Sequence, residues 1–448
     1  MPLLDEQVET VRDAMPFRVV GRVAAVSGLA IEATGLPLPM GAMCRIHSLG
    51  SRCCDVEVIG FQSDRTLLMP LSSVAGVASG DPVENVSVAP SIACSGGLLG
   101  RVIDGFGRPI DSLGPLAPGE ARRIDGRSVA AMSRVNIRDP ISTGIRAIDG
   151  LHTCGLGQRM GIFSGPGVGK STLMSAIARH TSADVSVVAL IGERGREVQE
   201  FLEHTLDAGS RSRCVVIVST GDDVPLMKVR AARVACTVAE YFRDRGLNVM
   251  LMMDSLTRLA QAQRQIGLAA REPPATKGFP PSVFALLPEI LERAGRTACG
   301  SITGFYTVLV EGDDFNEPIP DAVKGITDGH LWLSRPLAAK GHYPAIDVLQ
   351  SISRVRGDVL PADHSAAARK VLATLASYAE IEDLVNIGAY VAGTSVEFDL
   401  AVQFRPRIVD FLKQDAATPS PPEQTRKQVL ELGAAITAAE TQRRGKPA

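Results

Sequence analysis

The run Ser164-Gly165-Pro166-Gly167-Val168-Gly169-Lys170-Ser171-Thr172 holds the residues best suited to chemistry in this chain. Glycines let a backbone turn tightly and aim successive N–H groups at an anion. A lysine that follows them reaches the β- and γ-phosphates of a nucleotide, and the next hydroxyl is placed to ligate Mg²⁺. Lys170 and Ser171 take those two parts, and the backbone from Gly165 to Thr172 takes the cradle. Ser164 stands where the strict G-x-x-x-x-G-K-[ST] pattern has its first glycine, which predicts a less free start to the turn. Further on, Met250-Leu251-Met252-Met253-Asp254 ends a buried apolar run on a carboxylate. A phosphate-loop protein keeps the acid that holds Mg²⁺ through its water shell at such a strand end. A third group, Ile191-Gly192-Glu193-Arg194-Gly195-Arg196-Glu197, leaves another apolar run with two carboxylates and two guanidinium groups. Spacing alone leaves two readings of it. Either Glu193 orients a water in line with the γ-phosphate while Arg194 fixes that carboxylate or a phosphate oxygen, or the four charges pair with one another on the surface. Arg258, one helical turn past Asp254, either contacts the same phosphate site or braces Asp254.

Such groups need a sheet whose strands end beside them. Gln158 to Phe163 reads as a buried strand running into the loop, and Thr172 to Ala178 as a helix whose N-terminus faces the anion. Val185 to Ile191, Cys214 to Val218 and Val249 to Met253 read as central strands. Ala235, Val238, Ala239 and Phe242 recur at helical spacing and give the helix between the last two strands one apolar face. Strand-like runs alternating with helices over 89–362 predict an α/β domain with a mainly parallel sheet. Before it, short β-branched runs broken by Gly, Pro, Ser and Asp over 17–88 predict a small β-barrel. After it, an alanine-rich stretch over 363–448 predicts a helical domain, with Val371, Leu372 and Leu375 on one stripe and Pro419, Pro421 and Pro422 separating its last two segments. Leu4, Val8, Val11 and Met15 form a narrow stripe over 1–16 and predict a short helix that either docks a partner or packs on its own barrel. The segment Pro273 to Pro281 reads as too restricted for helix.

Composition excludes several classes. With 448 residues the chain predicts two or three domains. Lys plus Arg at 47 against Asp plus Glu at 49 argues against a surface made for nucleic acid or anionic membrane. The eight cysteines show no zinc spacing and predict reduced, half-buried core thiols. Acidic residues early in the chain and the lack of a long apolar run predict a cytoplasmic protein without signal peptide or membrane span.

The phosphate loop, the Gly192-Glu193-Arg194 turn, Asp254, Tyr343-Pro344-Ala345-Ile346-Asp347 and Ser351-Ile352-Ser353-Arg354 together resemble the catalytic subunits of rotary ATPases. Within that superfamily the chain resembles the ATPase of type III protein export systems, flagellar and injectisome. Met253-Asp254-Ser255-Leu256-Thr257-Arg258, Glu272-Pro273-Pro274-Ala275-Thr276-Lys277-Gly278, Phe305-Tyr306-Thr307-Val308-Leu309 and Gly341-His342-Tyr343-Pro344 are similar to that family's strings, and the likeness runs from about Gly21 through Tyr390. The resemblance implies a RecA-like nucleotide-binding domain and hydrolysis of ATP with Mg²⁺. It implies Lys170 and Ser171 on phosphates and metal, Glu193 as the catalytic carboxylate, Arg194 in support, Asp254 as the Mg²⁺-site acid and Tyr343 against the adenine. Arg354 would be an arginine finger supplied to the neighbouring subunit of a homohexamer. A stator-like regulatory protein at the N-terminus, a central stalk-like protein facing the Pro273–Pro281 segment, export chaperones and substrates, and the membrane proteins of the export gate are the implied partners. The implied location is cytoplasmic and peripheral to the inner-membrane export apparatus. The flagellar system is preferred to the injectisome, whose catalytic strings are the same. Two relatives share the core: the ATP synthase catalytic subunit, and an RNA-translocating hexameric termination factor. The latter needs interleaved basic and aromatic residues, whereas 17–88 carries only Phe17 and Phe61 as aromatics.

Overall fold

The computed structural model describes residues 19–48, 52–126, 129–205, 208–310 and 317–444. The expected helix over 1–16 lies outside them. Six strands close the first body into a barrel: β1 (Val20–Ser27), β2 (Ala30–Thr34), β3 (Met43–Ser48), β4 (Arg52–Gln62), β5 (Arg65–Pro70) and β6 (Pro82–Ser87). Their order around the wall is β1-β2-β5-β4-β3-β6, and β6 pairs back to β1. Alternate apolar residues such as Val23, Ile31, Ile46, Val56 and Leu68 fill the interior, as period-two patterning requires. Closure leaves no free strand edge.

The second body is built on a sheet of nine strands. In chain order the principal ones are β7 (Val102–Ile103), β8 (Arg159–Ser164), β9 (Val185–Glu193), β10 (Cys214–Thr220), β11 (Asn248–Asp254), β12 (Ser301–Leu309), β13 (Gly329–Leu333) and β14 (Ile346–Ser353). Across the sheet they run β14-β13-β8-β12-β11-β9-β10-β7, with the short strand Gly295–Arg296 on β12. The strands from β13 to β7 are parallel, and β14 is antiparallel to β13. Parallel strands buried on both faces read as near-continuous apolar runs, which is why β9, β10 and β11 were visible as such. Helices α1 (Lys170–His180), α2 (Gly195–Thr205), α3 (Pro225–Arg243), α4 (Leu256–Ala269) and α5 (Pro281–Leu291) cover the sheet. A third, helical body follows with α6 (Ala362–Asn386), α7 (Val396–Leu412) and α8 (Pro422–Arg444). Among the described residues no helix is long and apolar enough to cross a membrane.

Three expectations need correction. Helix α3 is not faced on one side only: from Pro225 to Phe242 most residues are buried, because the sheet, α4 and α5 pack on it and Arg230 reaches Glu57 and Met43 of the barrel. The Pro273–Pro281 segment is not wholly irregular. It holds a 3₁₀ turn at Thr276–Gly278, and Pro281 opens α5, where its missing N–H is one the first turn would leave unbonded anyway. Six cysteines are buried rather than half-buried, and Cys53 and Cys299 are exposed.

One buried cation ties these layers together. Arg293, 1% exposed, holds both carboxylate oxygens of Glu240 on α3 at 2.6 and 2.7 Å and donates to the Ile124 carbonyl and the Thr237 hydroxyl. Removing one partner of such a pair strands the other charge, at about 3–5 kcal/mol. Arg293→Met is therefore expected to lower the urea midpoint clearly, with the double change Arg293→Met, Glu240→Leu recovering most of it. An unchanged midpoint in the single variant would show that the ion pair contributes little.

Candidate functional site

The phosphate loop is a turn between β8 and α1. Ser164 is the last residue of β8, fully buried and paired with Leu309 and Leu333, and its carbonyl accepts a hydrogen bond from Val310 N. Regular strand backbone needs no glycine there, so the turn starts one residue later and the departure from the strict pattern is absorbed. Gly169 does need its glycine: it caps α1 at φ 92°, in the left-handed region. A Cβ on it would meet Cε1 of Tyr343 at 3.4 Å, so the tyrosine ring lies against the loop. Lys170 and Ser171 begin α1, whose N–H groups and dipole favour an anion.

Sheet order puts the carboxylates beside the lysine. Asp254 ends β11 and Glu193 ends β9, the strand next to it. Lys170 Nζ lies 2.5 Å from Asp254 Oδ1 and 3.5 Å from Glu193 Oε1. Burial works against the ammonium, but the two carboxylates outweigh it and hold the Lys170 pKa above the ordinary lysine value. Glu193 moves the other way. Burial, then a hydrogen bond shared with Glu197 and the Asp254 charge, push it up to about 7 against the pull of Lys170. A carboxylate poised near neutral pH is suited to take a proton from water. Ser171, Glu193, Glu197 and Asp254 line one small cavity, and a second, of about 380 Å³, extends from Ser171 and Thr172 along α1 to the loop Asp415-Ala416-Ala417.

Other expected site residues lie further out. Arg194 is exposed, and its nearest carboxylate is Glu197 at 4.0 Å. Arg196 pairs with Glu200 at 2.8 Å, so part of this cluster is a surface network. Arg258 packs its stem on Gly192, beside Glu193, where a Cβ would sit 2.9 Å from the Arg258 Cβ, and its guanidinium donates to Gln261. Tyr343 is 48% exposed and directly precedes the β14 hairpin, at the loop end of the sheet. Arg354 follows the opposite end of the same strand, because β14 runs antiparallel and Ser353 pairs with Gly329 at the start of β13. Arg354 is exposed, with Nη2 3.5 Å from the Lys324 carbonyl. An eight-residue strand spans roughly 26 Å, so Arg354 cannot reach its own phosphate loop.

One partner of the site escaped the sequence reading, and another stood in it without a role. Thr307 lies on β12 between the loop strand and the Asp254 strand, and its hydroxyl donates to Asp254 Oδ1 at 2.7 Å. Its signal was one polar residue inside the apolar run Phe305 to Leu309. Glu197, one helical turn beyond Glu193, is the hydrogen-bonding neighbour that helps raise it. Thr307→Val should leave Asp254 less firmly oriented and weaken Mg²⁺ about 10-fold, read from the Mg²⁺ dependence of binding of a fluorescent ATP analogue. An unchanged Mg²⁺ dependence would make Thr307 a packing residue only.

The nucleotide-binding domain of the ATP synthase alpha/beta family matches residues 144–353, and the T3SS EscN ATPase C-terminal domain matches residues 360–431. The flagellum-specific ATP synthase of Bacillus subtilis is 49% identical over 93% of this chain and 95% of its own. The type 3 secretion system ATPase of Xanthomonas euvesicatoria is 46% identical over 97% and 98%. A solved structure of the assembled ATPase EscN with its central stalk EscO, from the type III secretion system of enteropathogenic E. coli, superimposes with a TM-score of 0.85 at 42% identity, covering 92% of this chain and all of that one.

Proposed function

Because this chain belongs to the type III export branch of the ATP synthase alpha/beta family, together with flagellum-specific ATP synthases and type 3 secretion system ATPases, we propose that it is a homohexameric motor whose ATP hydrolysis energises protein export. It is an ATPase by family. One observation carries the reading of its site: Lys170, at the start of α1, meets Glu193 and Asp254 at the ends of two neighbouring strands, while Arg354 stands exposed at the far end of the edge strand.

Each residue then has a part. The Gly165 to Thr172 backbone and Lys170 hold the phosphates, and Tyr343 walls the base. The hard oxygen donors Ser171 and Asp254 suit Mg²⁺, which would polarise the phosphates. Glu193 orients water and accepts its proton. Arg354 of the adjoining subunit stabilises charge on the transferring group, and Arg194, on the surface, braces that region when subunits meet. In this reading 1–16 docks a partner, the 17–88 barrel precedes the hydrolytic domain 89–362, and 363–448 forms the helical domain. A central stalk, an N-terminal stator-like protein, chaperones with their substrates and the export gate are its partners, and the motor works in the cytoplasm at the inner-membrane apparatus, releasing substrates from chaperones and unfolding them. The flagellar system is the preferred one.

Replacing Glu193 by Gln in the native organism tests this. Loss of flagellar or needle proteins from the medium with respiratory growth unchanged is expected. Intact export with defective ATP synthesis or transcription termination would assign the chain to another branch.

A further inference from the structure

A cavity of about 350 Å³ lies in the seam between β14 and helices α6 and α7. Its walls are mainly apolar, from Leu337, Ile346, Val348, Leu375, Val409 and Leu412. Three cations, Lys340, Arg405 and Lys413, face two carboxylates across it. One of these, Glu382, is shared between Lys340 and Arg405 at 3.5 Å each. The other, Asp347, accepts from the N–H groups of Leu349 and Gln350 and from the Gln350 amide, so it is held by its own turn. The seam therefore carries positive charge beyond what its acids neutralise. Against this wall sits His342, 6% exposed, whose buried Nε2 has no hydrogen-bond partner. Folded proteins rarely leave such an atom unpaired. Burial, and then the Lys413 and Arg405 charges, hold the His342 pKa below the usual histidine value, so the ring is neutral.

We propose that this seam binds a small amphipathic carboxylate, an aromatic or branched-chain acid whose apolar body fills the walls and whose carboxylate meets Lys413, Arg405 and His342 Nε2–H. The volume suits a one- or two-ring molecule. Its position links it to the nucleotide. His342 precedes Tyr343, Lys413 precedes Gln414, and Gln414 N donates to the Tyr343 carbonyl at 2.9 Å. The occupant thus grips both segments that hold the Tyr343 ring against Gly169. Ligand and nucleotide must then alter each other's affinity by the same factor. The coupling, but not the binding, rests on the nucleotide site proposed above.

The probe is 2-naphthoate, titrated calorimetrically into the full chain, with 2-naphthalenemethanol as its uncharged counterpart. One saturable site per chain is expected, at least tenfold weaker for the alcohol and at least tenfold weaker in Lys413→Gln, whose side chain is exposed. Ala379→Trp, from the exposed face of α6 that lines the cavity, should abolish binding. No saturable binding at millimolar 2-naphthoate, or equal binding to Ala379→Trp, overturns the site. Affinity for a fluorescent ATP analogue should shift at least threefold at saturating 2-naphthoate. An unchanged affinity overturns the coupling, whereas failure of the chain to bind the analogue at all overturns the nucleotide site instead.

Discussion

Glu193→Gln should lower kcat by about 10²–10⁴-fold while nucleotide affinity stays within a few-fold, the range expected when a positioned base is lost. The isosteric amide keeps the volume at the end of β9 but cannot accept the proton. The pH profile gives a second readout. A carboxyl raised to about 7 is protonated below that value and lost as a base, so kcat/KM should fall about tenfold per pH unit below 7 and level off above it. The limb is set in part by Glu197, whose hydrogen bond favours the protonated form of Glu193. In Glu197→Gln it should move to lower pH. A wild-type profile flat from pH 6 to 8, or a Gln variant that turns over normally, would remove Glu193 from the proton-transfer step.

Arg354→Ala should cost about 10³–10⁵ in turnover if the arginine acts as a finger. Nucleotide binding should be nearly unchanged, since the side chain lies a strand's length from its own loop. Lys170→Ala should be equally inactive, for loss of phosphate contact rather than of the finger. The decisive measurement mixes the two inactive variants. An assembly containing both has interfaces where the intact loop of the Arg354→Ala chain faces the intact arginine of the Lys170→Ala chain, so activity should return. Mixtures that stay inactive, under conditions where assembly is demonstrated, would falsify action in trans.

Much of this site was legible because its chemistry is local in sequence. The phosphate loop is contiguous, and Asp254 and Glu193 each end an apolar run that buried parallel strands make visible. What stayed hidden depends on strand order. Thr307 touches Asp254 only because β12 is inserted between the loop strand and the Asp254 strand, an adjacency no local pattern encodes. The placement of Arg258 was open for the same reason: helical spacing put it one turn past Asp254, but its direction is set by the left-handed Gly192 backbone that its stem covers. The extent of α3 burial also came from outside the helix, since its polar and basic letters gave no sign that Arg230 lies under the barrel beside Glu57.

With Arg354 as the finger proposed above, the antiparallel turn of β14 separates one chain's loop from its own arginine, and dilution becomes an off-switch. A solitary subunit would then own two halves of different sites and no whole one, so turnover per subunit should rise steeply with protein concentration. Subunits made before their machine is ready would leave the cellular nucleotide pool untouched. A few defective copies would each spoil two junctions, so the poisoning of a mixed population should exceed their share of it.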